Sequence, residues 1–212
     1  MSIERIPLFP LHVVLFPGAA MPLHIFEPRY KLMIRQRLDD RSEFGVVLAR
    51  DNGVASVGCT AKVVRVVKTY PDGRMDILTA GQRPFVVRSL DESQPLLHAD
   101  VEFLADDNVG ASPDVQSELV ALFKKCYSSL VGRAPDTPGV DTDTENPVTR
   151  RLAYELAGEL PLDLEVRQSL LETRSEAGRQ KLLLDHLRAW LPELERLGRL
   201  RRKAGGNGHG AV

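Results

Sequence analysis

Only two cysteines occur in 212 residues, Cys59 and Cys126. So few exclude a disulfide framework, and their wide separation excludes a cysteine-rich metal site, whose ligands need close spacing. Both sit in apolar stretches and read as packed thiols in a reducing cytosol. A charge excess is missing too: 28 Lys and Arg stand against 29 Asp and Glu. Residues 1–105 carry 13 cations and 12 anions, and residues 106–212 carry 15 and 17. Neither half has the basic surplus that drives phosphate binding, so nucleic acid is not an expected partner. No apolar run approaches the roughly 18 residues of a membrane span. Met1-Ser2-Ile3-Glu4-Arg5 leads straight into Pro-punctuated strand sequence rather than a secretory leader. The expected compartment is the cytoplasm, with no membrane contact.

Motifs for chemistry are also scarce. A nucleotide-binding loop needs Gly-x-x-x-x-Gly-Lys-Ser/Thr after a strand, so that backbone amides cradle phosphates, and none occurs. Gly206-x-Gly208-x-Gly210 has neither a strand before it nor a helix after it and reads as tail composition. A Gly-x-Ser-x-Gly nucleophile elbow is absent. Cys126 falls on the apolar stripe of a helix, where a thiol packs rather than reacts. His12, His24, His98, His186 and His209 are scattered without the spacing that brings two ligands to one metal. Asp141-x-Asp143-x-Glu145 resembles the start of a calcium loop but lacks its glycine, and the twelfth position would be Leu152. Arg196, Arg199, Arg201, Arg202 and Lys203 form a basic cluster that suits the C-terminal end of a helix dipole. No aromatic follows Trp190 to stack bases there. The reading is therefore no catalytic residue, no metal and no cofactor.

What the chain does have is an ordinary globular composition, 43% hydrophobic and 27% charged. Residues 1–105 are rich in β-branched and aromatic runs. They are Ile6–Leu11, Val13–Phe16, Phe44–Ala49, Val57–Tyr70, Met75–Thr79, Pro84–Leu90 and His98–Leu104. Pro71-Asp72-Gly73 predicts a hairpin turn, and Gly81-Gln82 predicts another between the next two runs. One helix is expected from Pro28, ending near Asp39-Asp40, whose charges oppose the C-terminal dipole.

From Ser112-Pro113 the apolar period becomes helical, with Val115, Leu119, Leu122, Cys126 and Leu130 on one stripe. Gly132–Pro147 reads as an exposed loop. Asn146-Pro147 restarts a helix carrying Val148, Leu152, Leu156 and Leu160, and Leu162–Leu171 is a shorter one. A last helix begins near Ser175, with Leu183, Leu187, Trp190-Leu191, Leu194 and Leu197 in its stripe and Pro192 expected to kink or restart it. The predicted organisation is a β-rich part over 1–108, a helical bundle over 109–203 and a disordered tail over 204–212.

The segment Phe16 to Tyr30 is unusual. It crowds Phe16, Met21, Ile25, Phe26 and Tyr30 among Pro17, Pro22 and Pro28. A Pro-broken stretch is not expected to pair fully as strand, so part of its apolar surface should face a groove, as protein-contact patches do. The candidate groove residues are Phe16, Pro17, Met21, His24, Phe26 and Tyr30. Met21 and His24 are expected to reach solvent most readily.

The same segment carries a resemblance. Phe16-Pro17-Gly18, then Pro22-Leu23, then Phe26-Glu27-Pro28-Arg29-Tyr30 resembles the start of the LON domain, the N-terminal substrate-recognition domain of Lon-type ATP-dependent proteases. A second match runs through Val57–Val63, Pro71–Arg74 and Leu78–Phe85. A weaker one runs through Leu152–Leu160, Pro161-Leu162-Asp163 and the helix to Leu184. Together they cover roughly residues 3 to 195.

The resemblance implies an α+β fold: a PUA-like pseudo β-barrel with one inserted helix, followed by a C-terminal helical bundle. It implies a non-catalytic module of protein quality control, or an adaptor, that binds unfolded or partner polypeptide in a groove between barrel and bundle. The Ser-Lys protease pair and the ATPase of Lon proteases belong to further domains that this sequence does not contain. Two other readings are RNA or nucleotide binding through a PUA-like barrel and a hydrolase with an unrecognised site.

Overall fold

β-branched and aromatic runs become six strands, and the Leu-rich stripes become four of five helices, in a computed structural model that describes residues 3–107, 111–135 and 151–206. These residues fall in two compact units. One comprises the chain up to Asp106 together with Leu162–Arg174, and the other Asp107–Pro161 together with Ser175 onward. The fold is α+β, with a mixed sheet.

In the first unit the strands are β1 (Ile3–Leu11), β2 (Ala20–Ile25), β3 (Phe44–Arg50), β4 (Gly53–Thr69), β5 (Met75–Asp91) and β6 (His98–Phe103). Their order is β2-β5-β4-β3-β1-β6, and β6 also pairs with β5. Pairing therefore runs from β5 through β4, β3, β1 and β6 and returns to β5. Only β1 and β3 run parallel, because the chain between them crosses over through β2 and helix α1 (Pro28–Asp40). Ile6, Leu8, Val47, Phe85, Ala99 and Val101 form a buried core cluster.

Two glycines admit the Phe85 ring. A Cβ on Gly45 would stand 2.8 Å from Phe85 Cζ, and one on Gly58 only 2.6 Å from it. Side chains of ordinary size at these positions would displace the ring.

Gly81 corrects the sequence reading. Gly81-Gln82 is not a turn; β5 runs unbroken through it for 17 residues. The glycine serves close backbone approach instead. A Cβ there would lie 2.1 Å from the Phe16 carbonyl oxygen, and Gly81 exchanges backbone hydrogen bonds with Gly18 and Ala19, both 2.9 Å. Val13–Phe16 is likewise not a strand. It is a buried connection that docks beside β5. The Pro71-Asp72-Gly73 turn does join β4 to β5, with Gly73 at φ 79°.

Helix α1 starts at Pro28 and stops at Asp40, with Arg41 in the left-handed region at φ 56°. Asp40 Oδ1 accepts from the Ser42 N–H at 2.8 Å, which fixes the exit of the chain. Helix α4 (Leu164–Glu172) comes from the helical part of the sequence yet packs within the first unit. Its Gln168 Nε2 donates to the Val57 carbonyl at 3.0 Å, and its Glu165 takes both Arg50 guanidinium nitrogens at 3.0 and 3.1 Å.

The second unit holds α2 (Pro113–Val131), α3 (Leu152–Gly158) and α5 (Glu176–Gly206). Ser112 caps α2 by accepting from Val115 N–H at 3.4 Å, and Gly132 closes it at φ 78°. Leu119, Phe123 and Cys126 of α2 and Leu183, Leu187 and Leu194 of α5 are buried. Pro192 does not restart α5, which continues through it to Gly206. Leu197 leaves the expected stripe, 42% exposed. The expected restart at Asn146-Pro147 with Val148, most of the loop before it, and residues 207–212 of the tail lie outside the described residues.

Candidate functional site

β2 governs which side chains of the Pro-rich segment reach solvent. It pairs with β5 in unbroken antiparallel register from Ala20↔Ala80 to Ile25↔Met75. Pro22 does not prevent this, because β2 lies at the end of the sheet order and an edge strand tolerates a missing N–H. Alternation then turns Met21 and Ile25 inward and Pro22 and His24 outward. Met21 is 9% exposed, which overturns its expected exposure. Phe16 is fully buried beneath the Arg167 guanidinium, 4.6 Å from its ring centre, and Pro17 is buried beside it. Both close the turn that docks on Gly81 rather than facing a groove.

His24, Phe26 and Tyr30 do come together. They line a groove of about 550 Å³ with Phe9, Pro10 and Leu11 at the end of β1, Leu23 and Ile25 of β2, Glu27 and Arg29 at the start of α1, and Glu92, Gln94, Pro95 and Leu97 between β5 and β6. Every one of these residues belongs to the first unit. Phe9 and Tyr30 stack at 4.0 Å and 25°. Burial raises the Tyr30 hydroxyl above its usual range, so the phenol stays neutral. Phe26 projects at 59% exposure.

Arg29 ties the groove wall together. Its Nε donates to Glu27 Oε2 at 2.9 Å, its Nη1 donates to the Pro95 carbonyl at 3.0 Å, and its guanidinium lies 4.6 Å from the Tyr30 ring centre. At the rim, His24 Nδ1 and Asp76 Oδ1 are 2.6 Å apart, and Tyr70 donates to Asp76 Oδ2 at 2.7 Å. The hydrogen bonds from His24 and then Tyr70 hold the Asp76 carboxyl below its usual range. The His24 ring also stacks near Phe26 at 6.0 Å and meets Tyr70 edge-on at 5.9 Å.

The groove presents mainly apolar side chains. No Ser, Thr or Cys lines the groove to serve as nucleophile for the His24–Asp76 pair. Cys126 lies in the other unit, buried, with its thiol pushed up to about 11 by burial and then by Glu195. Among the described residues, no three His, Cys, Asp or Glu converge to hold a metal ion, and no helix is long and apolar enough to cross a membrane. Phe9, Leu11, Arg29 and Pro95 were not legible as site residues. Arg29 stands inside the motif at the start of α1, Phe9 and Leu11 arrive on β1, and Pro95 is brought in by its carbonyl's hydrogen bond from Arg29.

Residues 5–189 match the family described as the ATP-dependent protease La (LON) substrate-binding domain. The chain belongs to that family. It is 30% identical over 194 residues to a Lon protease of Anaeromyxobacter dehalogenans, covering 86% of this chain and 23% of that protein. It is 28% identical over 195 residues to Lon protease 2 of Myxococcus xanthus, covering 87% and 23%. The chain thus spans about a quarter of the length of these relatives. Among solved structures, a Lon N-terminal domain protein from Xanthomonas campestris matches with a TM-score of 0.66 and 27% identity, over 90% of this chain and 100% of that one. The N-terminal domain of a Mycobacterium avium complex Lon protease matches in fold, with a TM-score of 0.60 at 16% identity, over 87% of this chain and 98% of that one. In this LON domain, then, the motif segment supplies both core and groove: Phe16, Pro17 and Met21 hold it in place, while His24, Phe26 and Tyr30 line the opening.

Proposed function

We propose that this LON domain binds extended polypeptide through the groove of β1, β2 and α1, without catalysing a reaction itself. The observation that carries this reading is the exposed Phe26 beside the stacked Phe9–Tyr30 pair, in a groove lined mainly by apolar side chains. A volume of about 550 Å³ suits a few apolar side chains of an incoming segment. β2 adds a main-chain edge, since among the described residues it pairs with β5 alone. Strand addition along such an edge supplies affinity, and the pocket supplies selection among side chains. His24, held against Asp76, keeps the rim in one orientation while a segment enters.

The ring of strand pairings supports describing the first unit as a PUA-like pseudo-barrel, and the α2, α3 and α5 packing supports describing the second as a helical bundle. We take protein quality control or an adaptor role as the setting, in the cytoplasm. Clients would be unfolded or partner polypeptides. The test is fluorescence anisotropy with a labelled, unfolded casein fragment. Binding should be saturable and weaken in Leu11→Ser and Phe26→Ser, with the thermal midpoint of Phe26→Ser unchanged. Equal affinity in all three proteins would reject the groove.

A further inference from the structure

The far half of β4 is a second open edge, and its chemistry differs from that of the groove. Beyond Ala61 its pairing with β3 ends, so among the described residues Lys62–Thr69 is paired by β5 on one side only. Register shifts between Val63 and Arg65 and between Val66 and Lys68 leave Val64 and Val67 outside the ladder. These two valines are 58% and 57% exposed, and Val66 is 38% exposed. An edge of bare valines would invite uncontrolled pairing unless something restricts its partners.

The restriction is charge. The segment reads Lys62-Val63-Val64-Arg65-Val66-Val67-Lys68, a palindrome centred on Arg65. Lys62 and Arg65 are exposed and make no ion pair among the described residues. Lys68 lies over the Tyr70 ring at 4.5 Å. Antiparallel pairing of two copies about the palindrome would set Arg65 against Arg65 and Lys62 against Lys68. Like charges directly opposite destabilise a strand pair, so the edge discriminates against its own copy. The same cations favour a strand with carboxylates at three-residue spacing and apolar residues between.

We propose that this edge of β4 is a second polypeptide-binding surface, selective for extended acidic–apolar segments. It shares no lining residue with the groove and stands or falls independently of it. Nucleic acid fits the surface less well. Its aromatic neighbour Tyr70 is half-buried between Lys68 and Arg74, at 4.5 and 4.9 Å, and the exposed valines offer bases no stacking face.

The test uses the full chain and a labelled, end-capped peptide, Glu-Val-Val-Glu-Val-Val-Glu, read by fluorescence anisotropy at low salt. The peptide should bind, with affinity falling as salt rises. Lys62→Glu combined with Arg65→Glu should lower the affinity about tenfold or more. Val64→Ser combined with Val67→Ser should lower it severalfold. Both double variants should keep the wild-type thermal midpoint and casein binding, because the altered side chains are exposed and outside the groove. Amide exchange at Val63–Lys68 should slow when the peptide is bound. Equal binding of the Lys-substituted peptide would overturn the proposal. So would undiminished binding by the charge-reversed variant, preferential binding of oligouridine, or concentration-dependent dimerisation of the wild-type chain that protects Val63–Lys68 from amide exchange.

Discussion

Met21 and Phe26 lie five residues apart in one motif and end in opposite environments, 9% and 59% exposed. The strand pairing of β2 separates them: Met21 turns inward, where Thr79 Oγ1 donates to its carbonyl at 2.8 Å, while Phe26 follows the last paired residue, Ile25. Met21→Asp should therefore destabilise the fold by roughly 3 kcal/mol or more, since it buries an unpaired carboxylate. Phe26→Asp should leave the melting temperature nearly unchanged and weaken casein binding by more than about 1 kcal/mol. Calorimetry and anisotropy on the same samples check both. A large drop in melting temperature for Phe26→Asp would remove it from the binding surface and return it to the core.

Gly58 should be among the least replaceable residues of the sheet. A Cβ there would come within 2.6 Å of Phe85 Cζ and equally close to the Val46 carbonyl oxygen. The ring can tilt, but the backbone oxygen can move only by bending β3. Gly58→Ala should cost about 1–3 kcal/mol as an overpacking defect. Adding Phe85→Leu should recover only part, because the carbonyl clash persists. Urea titrations of the single and double variants separate the two contacts, and full recovery would show that the Val46 carbonyl yields freely.

The rim carries a pH signature. Hydrogen bonds from His24 and Tyr70 depress the folded-state pKa of Asp76 below 3.8. A depressed carboxyl contributes stability that is fully present above its unfolded value and lost as pH falls through its folded one. The contribution should therefore fade in acid, from about the unfolded value downward. Carbon-detected NMR titration of the Asp76 carboxyl should give a midpoint below 3.8. His24→Ala combined with Tyr70→Phe should move it up toward that value. An unmoved midpoint would mean that other groups set it.

Much of this architecture was legible because periodicity is local. The Pro28 start and Asp40 stop of α1, the Asp72-Gly73 turn and the Ser112-Pro113 cap are each decided by neighbouring residues. What was not legible depended on partners far along the chain. Gly81 imitates a turn signal, yet its lack of a side chain serves the Phe16 carbonyl, 65 residues away by the numbering. Met21 looked free because Pro22 seemed to forbid pairing, and only the edge position of β2 removes that objection. Leu162–Leu171 has the pattern of a bundle helix, but apolar spacing cannot say which surface a helix covers. Of the six motif residues offered as groove lining, His24, Phe26 and Tyr30 reach it, while Phe9 and Pro95 meet them only through sheet register and the Arg29 hydrogen bond.

Glu176 of α5 caps a helix that is not its own. Its Oε1 accepts from the Ala153 backbone N–H at 2.9 Å, in the first turn of α3, whose N-cap residue Arg151 supplies no side-chain cap. The same carboxylate takes Gln180 Nε2 at 2.9 Å and Arg179 Nε at 3.0 Å, with Glu176 and Arg179 7% and 1% exposed. The Arg179 guanidinium lies 4.5 Å from the Tyr154 ring centre, on α3. Removing the carboxylate deprives three buried donors of one acceptor, so Glu176→Ala should cost about 3–5 kcal/mol. Glu176→Gln keeps an oxygen for the Ala153 N–H and should cost less, although it removes the counter-charge of Arg179 and turns an amide NH2 toward the Arg179 Nε–H. Arg179→Met in the Glu176→Gln background should restore part of the loss, since the buried cation leaves with its counter-charge and the methionine packs on Tyr154. Denaturant midpoints of the wild type, Glu176→Gln, Arg179→Met and the double variant complete the cycle. Strict additivity would show that Glu176 acts on α3 alone, through Ala153, and that Arg179 is held by its other contacts.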